Sequence, residues 1–210
     1  MNNNLIITIG REYGSGGREI GETLAKRLGI KWYDKELLTV SAEKSGFSQR
    51  IFEQYDETAQ NSLLYSLAMG LGSPASPIQP LSVQLYLEQF NAIREIAQTE
   101  SCVFIGRCSD YALRGRENVV NVFVHAPLPD RIQRICRRHQ VDEAKAKDMI
   151  QKKDKARANY YNYYTDQKWG STRNYDLTFD TSKVGIDGAV ELILRFCSLS
   201  GKVPENGPTI

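Results

Sequence analysis

Short apolar runs alternate with longer amphipathic stretches along the chain. The short runs have the length and composition of buried strands, and they lie at 5–9, 30–33, 102–105, 119–124 and 177–179. Longer stretches with apolar residues at helical spacing separate them; in the first, Ile20, Leu24 and Leu28 share one face. Strands that alternate with helices form a parallel sheet covered by helices on both faces. The pattern therefore predicts an α/β fold with a five-stranded parallel sheet.

Helices account for most of the remaining chain. They are predicted at 17–28, 35–71, 81–99, 130–138 and 141–164, and 188–196 forms most of the closing helix. Gly29 is suited to end the first helix, and Asp130 is suited to begin the fourth. The segment GLGSPASPIQP at 70–80 is rich in Gly, Ser and Pro and predicts an exposed loop.

The charge balance narrows the classes of partner. The formal net charge is only +2, whereas a dedicated duplex-DNA-binding domain is usually more basic. The basic residues concentrate between Arg131 and Arg157. We therefore expect a local basic patch and no nucleic-acid partner.

Cysteine usage and hydropathy indicate the compartment. The four cysteines are scattered without a CxxC pair and the two histidines do not complete a zinc site, so we expect free thiols and no metal-ligating cluster. The N-terminal MNNNLIITIG lacks the features of a signal peptide, and no apolar stretch approaches membrane-spanning length. These features predict a cytoplasmic protein without a membrane partner.

The segment after the first strand carries the strongest candidate chemistry, because ligands of such a sheet bind at the carboxyl ends of its strands. The segment reads REYGSGGRE. Glycines let the backbone curl and aim successive N–H groups at an anion, and the start of the following helix adds its dipole. We therefore predict a phosphate-binding turn formed by Gly14, Ser15, Gly16, Gly17, Arg18 and Glu19.

This turn departs from the common form GxxxxGK[ST]. Aligned on Gly16, the turn has Gly17 in the place of the lysine. Aligned on Gly17, it has Arg18 in that place and Glu19 in the place of the Ser/Thr that helps to hold Mg²⁺. Neither register restores the usual chemistry, although an arginine neutralises phosphate charge, often through two hydrogen bonds. A purely structural glycine turn is the alternative.

Two further strand ends carry polar residues. Asp34 follows the second strand, and in a dinucleotide-binding fold such an acid would hold a ribose hydroxyl, but GSGGREIG does not match GxGxxG. Gly106 and Arg107 follow the third strand, with Asp110 close behind. Arg107 is expected to point into the cleft, and pairing with a structural carboxylate is the alternative.

A row of arginines follows the fourth strand. Arg131, Arg134 and Arg138 lie at i, i+3 and i+7 on one helical face, and a basic run at 152–157 leads into the tyrosine-rich 160–164. A mobile arginine-bearing segment suits phosphoryl transfer, in which catalysis is mostly positioning and charge neutralisation. Tyrosines among basic residues also suit single-stranded nucleic acid, but the near-neutral net charge disfavours that alternative.

Several segments resemble the bacterial cytidylate kinase-like family. They are TIGREYGSGGREIGETLAKRLGIKWYDKELL at the start, CVFIGRCSDYAL in the middle, and DKARANYYNYYTDQKWG followed by YDLTFDTSKVGIDGAVELI near the end. The similarity extends from about Leu5 to Cys197. It implies a P-loop nucleoside monophosphate kinase fold in a single domain at 1–200.

The resemblance also implies a division of this domain. The core would comprise 1–34, 101–130 and 174–198, with a helical monophosphate-binding insertion at 35–100 and an arginine-bearing lid at 131–173. Residues 201–210 would form a flexible tail.

Individual residues acquire roles from the same resemblance. The turn at 14–18 would hold the phosphates of ATP, assisted by Mg²⁺. The catalytic residues would be Arg18, Arg131 and Arg134, and the acceptor would contact Asp34, Arg94, Arg107, Asp110, Asp154 and Arg157. Of these, Asp154 and Arg157 match an Asp-x-x-Arg pair that binds the acceptor in cytidylate kinases.

The missing lysine leaves alternative functions open. The leading hypothesis is an ATP-dependent phosphotransferase that acts on a nucleoside monophosphate or a similar small acceptor, with Arg18 partly replacing the lysine. The second is a nucleotide-binding sensor or regulator without catalysis. A dinucleotide-dependent oxidoreductase depends on Asp34 alone and gives the arginine row no role.

Overall fold

The protein forms a five-stranded parallel sheet with helices on both sides. The structure, a computed structural model, describes residues 4–56 and 80–202 of the 210-residue chain. The strands are β1 (Ile6–Arg11), β2 (Lys31–Tyr33), β3 (Cys102–Ile105), β4 (Val119–His125) and β5 (Leu177–Asp180). All neighbouring strands pair in parallel, in the order β2-β3-β1-β4-β5. The predicted fold class is confirmed, and β1 is the central strand.

The helices connect these strands. They are α1 (Gly17–Leu28), α2 (Glu36–Ser45), α3 (Gln49–Gln54), α4 (Leu81–Thr99), α5 (Ser109–Ala112), α6 (Leu128–His139), α7 (Glu143–Thr165) and α8 (Thr181–Leu199), with a short 3₁₀ helix at Thr172–Asn174. Among the helices that the structure describes, none is both long and apolar enough to cross a membrane.

The sheet separates two apolar cores. Successive side chains of a strand point to opposite faces, so Ile7 and Ile9 pack with α1 and α8 while Ile6 packs with α2 and α4. Strands β1, β3 and β4 contribute buried residues to these cores, whereas the edge strands β2 and β5 contribute partly buried ones. Packing against these two cores holds the strands in place. Because the strands are parallel, their carboxyl ends lie at one edge of the sheet.

Several helix boundaries differ from the predicted ones. Helix α6 begins at Leu128 and not at Asp130, because a proline is tolerated in the first turn of a helix. Helix α8 spans Thr181–Leu199 but has a break in its helical backbone at Gly185 (φ 68°, ψ −174°), and the predicted 188–196 lies in the part after the break. The Asp180 carboxylate accepts a 2.8 Å hydrogen bond from Ser182 N at the start of the part before it. The helix predicted at 35–71 is interrupted after α2 by Gly46, which has a φ of 75°. Helix α3 follows within the same stretch, whereas residues 57–71 and most of the loop predicted at 70–80 lie outside the described residues.

The four cysteines carry free thiols, as predicted. Cys102, Cys108 and Cys197 are buried, and Cys136 is partly buried. Burial raises the pKa of the Cys197 thiol to about 11. At neutral pH this side chain is therefore a small apolar core residue and not a thiolate.

Two leucines on α8 provide a test of this packing. Leu194 is 4% exposed and lies in the core, whereas Leu192 is 45% exposed. We expect Leu194→Ala to lower the free energy of unfolding by about 2–5 kcal/mol, because it leaves a cavity. The same change at Leu192 should cost less than about 0.5 kcal/mol. Urea unfolding measures both, and equal losses would contradict the orientation of α8.

Candidate functional site

The turn between β1 and α1, residues 12–16, has a fixed shape; we call it the glycine turn. Gly14 (φ 84°) and Gly16 (φ 90°) adopt left-handed conformations that side chains disfavour. Ser15 is fully buried, and its carbonyl accepts a 2.7 Å hydrogen bond from the Thr181 hydroxyl of α8. The Ser15 hydroxyl is used within the turn, where it donates a 2.8 Å hydrogen bond to Glu12 O. These contacts hold the backbone of the turn in place.

Helix α1 begins directly at the end of this turn. Gly16 is its N-cap residue and provides no side chain that caps the helix. The N–H groups of a helix's first turn lack intrahelical partners, and the helix dipole makes this end positive. A Cβ at Gly16 would lie 2.5 Å from Ile186 Cδ1, so a larger residue would also have to displace the end of that side chain. The geometry suits a phosphate group.

Asp34, which directly follows β2, is surrounded by three arginines. Its Oδ1 accepts a 2.7 Å hydrogen bond from Arg107 Nη1. Arg18 Nε lies 3.6 Å from Oδ2, and Arg11 Nη2 lies 3.9 Å from Oδ1. We call these four residues the Asp34 cluster. Both carboxylate oxygens face guanidinium groups, which removes the support for the dinucleotide interpretation.

Arg107 reaches this cluster through an unusual backbone. Gly106, Arg107 and Cys108 have φ values of 75°, 57° and 55°, and non-glycine residues rarely adopt such conformations. The turn directs Arg107 inwards, where its Nη2 donates a 3.1 Å hydrogen bond to Asp56 Oδ2. Arg107 therefore joins β2 and β3 to the chain that follows α3. Asp56, whose role the sequence does not reveal, is its second carboxylate partner.

Arg131 and Asp154 hold the glycine turn from another side. Arg131 Nη1 lies 2.5 Å from Asp154 Oδ2, and Arg131 Nε lies 3.4 Å from Glu12 Oε2. Asp154 Oδ1 accepts a 2.7 Å hydrogen bond from Tyr13 N. These contacts attach α6 and α7 to the backbone of the turn. In this arrangement Arg131 and Asp154 position the turn.

Arg134 contacts the backbone of the glycine turn, and Arg157 contacts the backbone at the end of β1. Both side chains line the cavity described below. Arg134 Nη1 donates a 2.6 Å hydrogen bond to Gly14 O, and Arg157 Nη1 donates one of 3.2 Å to Arg11 O. The Arg157 guanidinium also lies 5.6 Å from the centroid of the Tyr13 ring. Burial raises the pKa of the Tyr13 phenol, although the charges of Arg138 and Arg157 oppose the shift. Tyr13 is therefore a neutral phenol at physiological pH.

These residues surround a cavity of about 920 Å³ at the carboxyl ends of the strands. Among the described residues, five acidic residues line it, and so do nine lysines and arginines: Arg11, Arg18, Lys35, Arg107, Arg134, Arg137, Arg138, Lys153 and Arg157. Arginines keep their charge in proteins, so the cavity has a lasting excess of positive charge. A cavity of this size and charge suits a polyanion such as a nucleotide.

Three of the predicted acceptor-binding residues lie outside the lining that the described residues form: Arg94, Asp110 and Asp154. Asp110 on α5 accepts a 2.6 Å hydrogen bond from the Tyr161 hydroxyl of α7. Arg94 is exposed on α4, where its guanidinium lies 5.6 Å from the centroid of the Phe90 ring. Their roles in binding stay predictions. Of the residues whose roles the sequence leaves open, Trp169 packs edge-on against Phe123, and Glu57 lies outside the described residues.

Some lining residues escape prediction from the sequence. Arg11 and Lys35 line the cavity, yet neither was predicted as a site residue. The available signal is the rule that ligands bind after strands, because Arg11 ends β1 and Lys35 comes soon after β2. The predicted strand ends at Ile9, whereas β1 extends to Arg11. The sequence therefore places Arg11 in the turn and does not show that its side chain faces the cavity.

The residues present fit a metal ion that a nucleotide helps to hold. In the part of the chain that the structure describes, no three His, Cys, Asp or Glu residues group as metal ligands. Glu19 and Glu22, in the first two turns of α1, line the cavity. Mg²⁺ is commonly bound through one or two carboxylates together with substrate phosphates and water. Glu19 is therefore a candidate ligand for Mg²⁺ only when a nucleotide is bound.

The Asp34 cluster yields a stability prediction. We expect Asp34→Asn to lower the free energy of unfolding by about 3–5 kcal/mol, because it leaves buried guanidinium charges without their carboxylate. The control is Asp148→Asn, which removes the exposed partner of Lys152 and should cost less than about 1 kcal/mol. Denaturant unfolding compares the two, and wild-type stability of Asp34→Asn would contradict the central role of Asp34.

Solved structures with this fold include kinases of small molecules. A structure of an uncharacterised protein from Eubacterium ventriosum is 30% identical, with a TM-score of 0.70, and the match covers 93% of this chain and 99% of that one. Shikimate kinase from Acinetobacter baumannii, in complex with shikimate, is 16% identical with a TM-score of 0.52 over 96% of each chain. The second likeness concerns the fold alone.

Sequence comparison agrees with this fold. A cytidylate kinase from Methanopyrus kandleri is 23% identical over 198 residues, which cover 90% of this chain and 91% of the relative. Residues 6–183 match the cytidylate kinase-like family, in agreement with the resemblance of the sequence motifs. The chain belongs to the cytidylate kinase-like family.

Proposed function

We propose that this protein transfers the γ-phosphate of ATP to a nucleoside monophosphate or a similar small acceptor. The observation that carries the proposal is the junction of the glycine turn with a cavity that nine lysines and arginines line. Phosphoryl transfer requires little covalent chemistry from a protein; it requires alignment of the reactants and neutralisation of their charge. This cavity is built to supply both.

The donor phosphates would lie against the glycine turn and the start of α1. Arg134 is at this end, since its Nη1 already contacts Gly14 O. Arg137 and Arg138 lie exposed on the following turn of α6, and they also line the cavity. The three arginines would contact the triphosphate from the lid side, while Arg131 holds the turn in position. This arrangement supports the predicted catalytic role of Arg134 and a positioning role for Arg131.

The acceptor would lie towards the Asp34 cluster. Arg18 and Lys35 line the cavity there and supply positive charge. Arg107 is held by Asp34 and Asp56, which would fix its orientation towards an acceptor phosphate. An anionic acceptor oxygen attacks without losing a proton, whereas an alcohol needs a general base. Because the Asp34 oxygens face guanidinium groups, the cluster favours a phosphate acceptor over an alcohol.

In the proposed reaction the bond between the γ-phosphorus and the bridging oxygen of ATP breaks. A new bond forms between that phosphorus and an acceptor phosphate oxygen, and ADP leaves with the electron pair. Mg²⁺ would offset charge on the donor phosphates. The chain's own contribution is orientation by backbone N–H groups and charge neutralisation by arginines.

A nucleotide-binding regulator without catalysis is the second candidate. The observation that favours it is glycine at position 17, where one alignment of the turn expects the lysine. This candidate predicts that the protein binds ATP but transfers its γ-phosphate to no acceptor. Acceptor-dependent turnover would exclude it.

An acceptor-dependent assay tests the proposed activity. With ATP and Mg²⁺, we expect ADP release to require one of a panel of nucleoside monophosphates, CMP among them. Arg134→Gln should lower kcat/KM by about tenfold or more, because it removes a charge-assisted contact. Arg27→Gln is the matched control, since Arg27 lies on the surface of α1 and pairs with Glu191. The proposal would be contradicted if no acceptor stimulated ADP release and if the wild type and Arg134→Gln released ADP at the same rate.

The proposed metal site makes a separate prediction. Glu19 is exposed and lines the cavity in the first turn of α1. We expect Glu19→Gln to tighten ATP binding in EDTA, because a carboxylate no longer repels the phosphates. The same change should raise the Mg²⁺ concentration needed for half-maximal activity about tenfold, because one ligand is lost. Glu191→Gln on α8 is the matched control, and calorimetry with a Mg²⁺ titration measures both effects. If Glu19→Gln and Glu191→Gln had the same ATP affinity in EDTA and the same Mg²⁺ requirement, Glu19 would be excluded as a ligand.

A further inference from the structure

The space beside Gly17 is occupied by Arg11. A Cβ placed on Gly17 would lie 2.6 Å from Arg11 Cβ and 3.0 Å from Arg11 Cγ. Both atoms are close to the Arg11 backbone, so they cannot move aside as the end of a flexible side chain can. Position 17 therefore requires the absence of a side chain.

The backbone of Gly17 does not explain this requirement. Gly17 is the first residue of α1 and is absent from the residues with positive φ. An ordinary helical conformation accommodates any L-residue, and alanine is favoured over glycine there. The glycine at this position is thus explained by the packing of Arg11 and not by conformation.

Arg11 is well placed to act on a ligand. It ends the central strand β1, its carbonyl accepts a hydrogen bond from Arg157, and its side chain is 8% exposed. The side chain lines the cavity beside the glycine turn. Its Nη2 lies 3.9 Å from Asp34 Oδ1, which is longer than the 2.7 Å contact that Arg107 makes with the same atom. Arg107 is therefore the principal partner of that oxygen.

Arg18, the other arginine near the turn, is oriented differently. Its Nε lies 2.9 Å from Glu22 and 3.6 Å from Asp34. Its guanidinium also lies 5.4 Å from the centroid of the Trp32 ring. These contacts direct Arg18 along α1 towards β2, away from the backbone of the turn.

We propose that Arg11 supplies the cation that binds the β- and γ-phosphates of the donor nucleotide, and that Gly17 is glycine because this arginine occupies its side-chain space. The positive charge that a P-loop usually carries at the start of its helix would here come from the end of the preceding strand. This proposal rests on the proposed function, since it assumes that the glycine turn binds a nucleoside triphosphate.

Binding of ATP and AMP to variants tests the proposal by calorimetry. Arg11→Gln should weaken ATP binding about 10- to 100-fold, because a charge-assisted contact with the outer phosphates is lost. Its affinity for AMP, which lacks those phosphates, should change less than about twofold. Arg11→Lys should recover part of the ATP affinity. Arg27→Gln, the same change on the outer surface of α1, serves as the control.

Exchange of the two side chains tests the spatial part of the proposal. Gly17→Ala, which keeps every charge, should weaken ATP binding because its Cβ displaces Arg11. Gly188→Ala is the control, since Gly188 lies within α8 at an ordinary φ. The double variant Arg11→Gly/Gly17→Lys should bind ATP more tightly than the product of the single effects of Arg11→Gly and Gly17→Lys predicts.

The outcomes distinguish failure of the proposed function from failure of the role proposed for Arg11. Absence of ATP binding by the wild-type protein would overturn the proposed function and this proposal together. Wild-type ATP binding by Arg11→Gln, or equal losses for ATP and AMP, would overturn the role of Arg11 alone and leave a purely structural arginine. A selective loss of ATP binding in Arg18→Gln, but not in Arg11→Gln, would assign the role to Arg18. If Arg11→Gln does not fold, unchanged ATP binding by Gly17→Ala would be sufficient to reject the proposal.

Discussion

The carboxylate of Asp34 is the contact on which the candidate site depends. It lies within 4 Å of guanidinium groups from Arg11, Arg18 and Arg107, which come from β1, α1 and the turn after β3. Buried charges are costly without partners, and Asp34 is the carboxylate that all three arginines share. Arg107 also pairs with Asp56, and Arg18 with Glu22. The cluster holds its arginines in place, and the excess of basic over acidic residues in the described cavity lining favours an anion there.

A second set of contacts gives the glycine turn its rigidity. Asp154 and Arg131 bind the turn from α6 and α7, and Thr181 binds it from α8. The segment predicted as a lid is therefore attached to the turn at its base. Arg137 and Arg138, which are exposed further along α6, are the part of this segment that is available to a ligand. In the proposed function, Arg131 would position the turn and other arginines of the same helix would contact the ligand.

The sequence predicts the fold well, because hydrophobic periodicity is a local property. The helix predicted at 81–99 has the bounds of α4, and the strand at 102–105 those of β3. The boundaries that moved depend on local features that periodicity does not show: Asp180 caps the start of α8, Gly46 ends α2, and a proline is tolerated in the first turn of α6.

The site is less predictable, because its contacts join distant residues. Asp34 meets Arg107 across 73 positions of the chain, and Tyr13 meets Asp154 across 141. The left-handed backbone at Arg107 and Cys108 carries no glycine signal, so its effect on the direction of Arg107 is invisible in the sequence. Residue type and strand position identify Arg107 and Asp34 as candidates. They do not reveal which carboxylate each arginine contacts.

The most direct test of the account is a crystal structure of the complex with Mg²⁺ and a non-hydrolysable ATP analogue. The account predicts that the β- and γ-phosphate oxygens lie within hydrogen-bonding distance of the N–H groups at the start of α1 and of the Arg11 guanidinium. It also predicts that the Asp34 carboxylate keeps its contact with Arg107 in the complex. A triphosphate bound elsewhere, or one bound here with Arg11 directed away from it, would contradict the account.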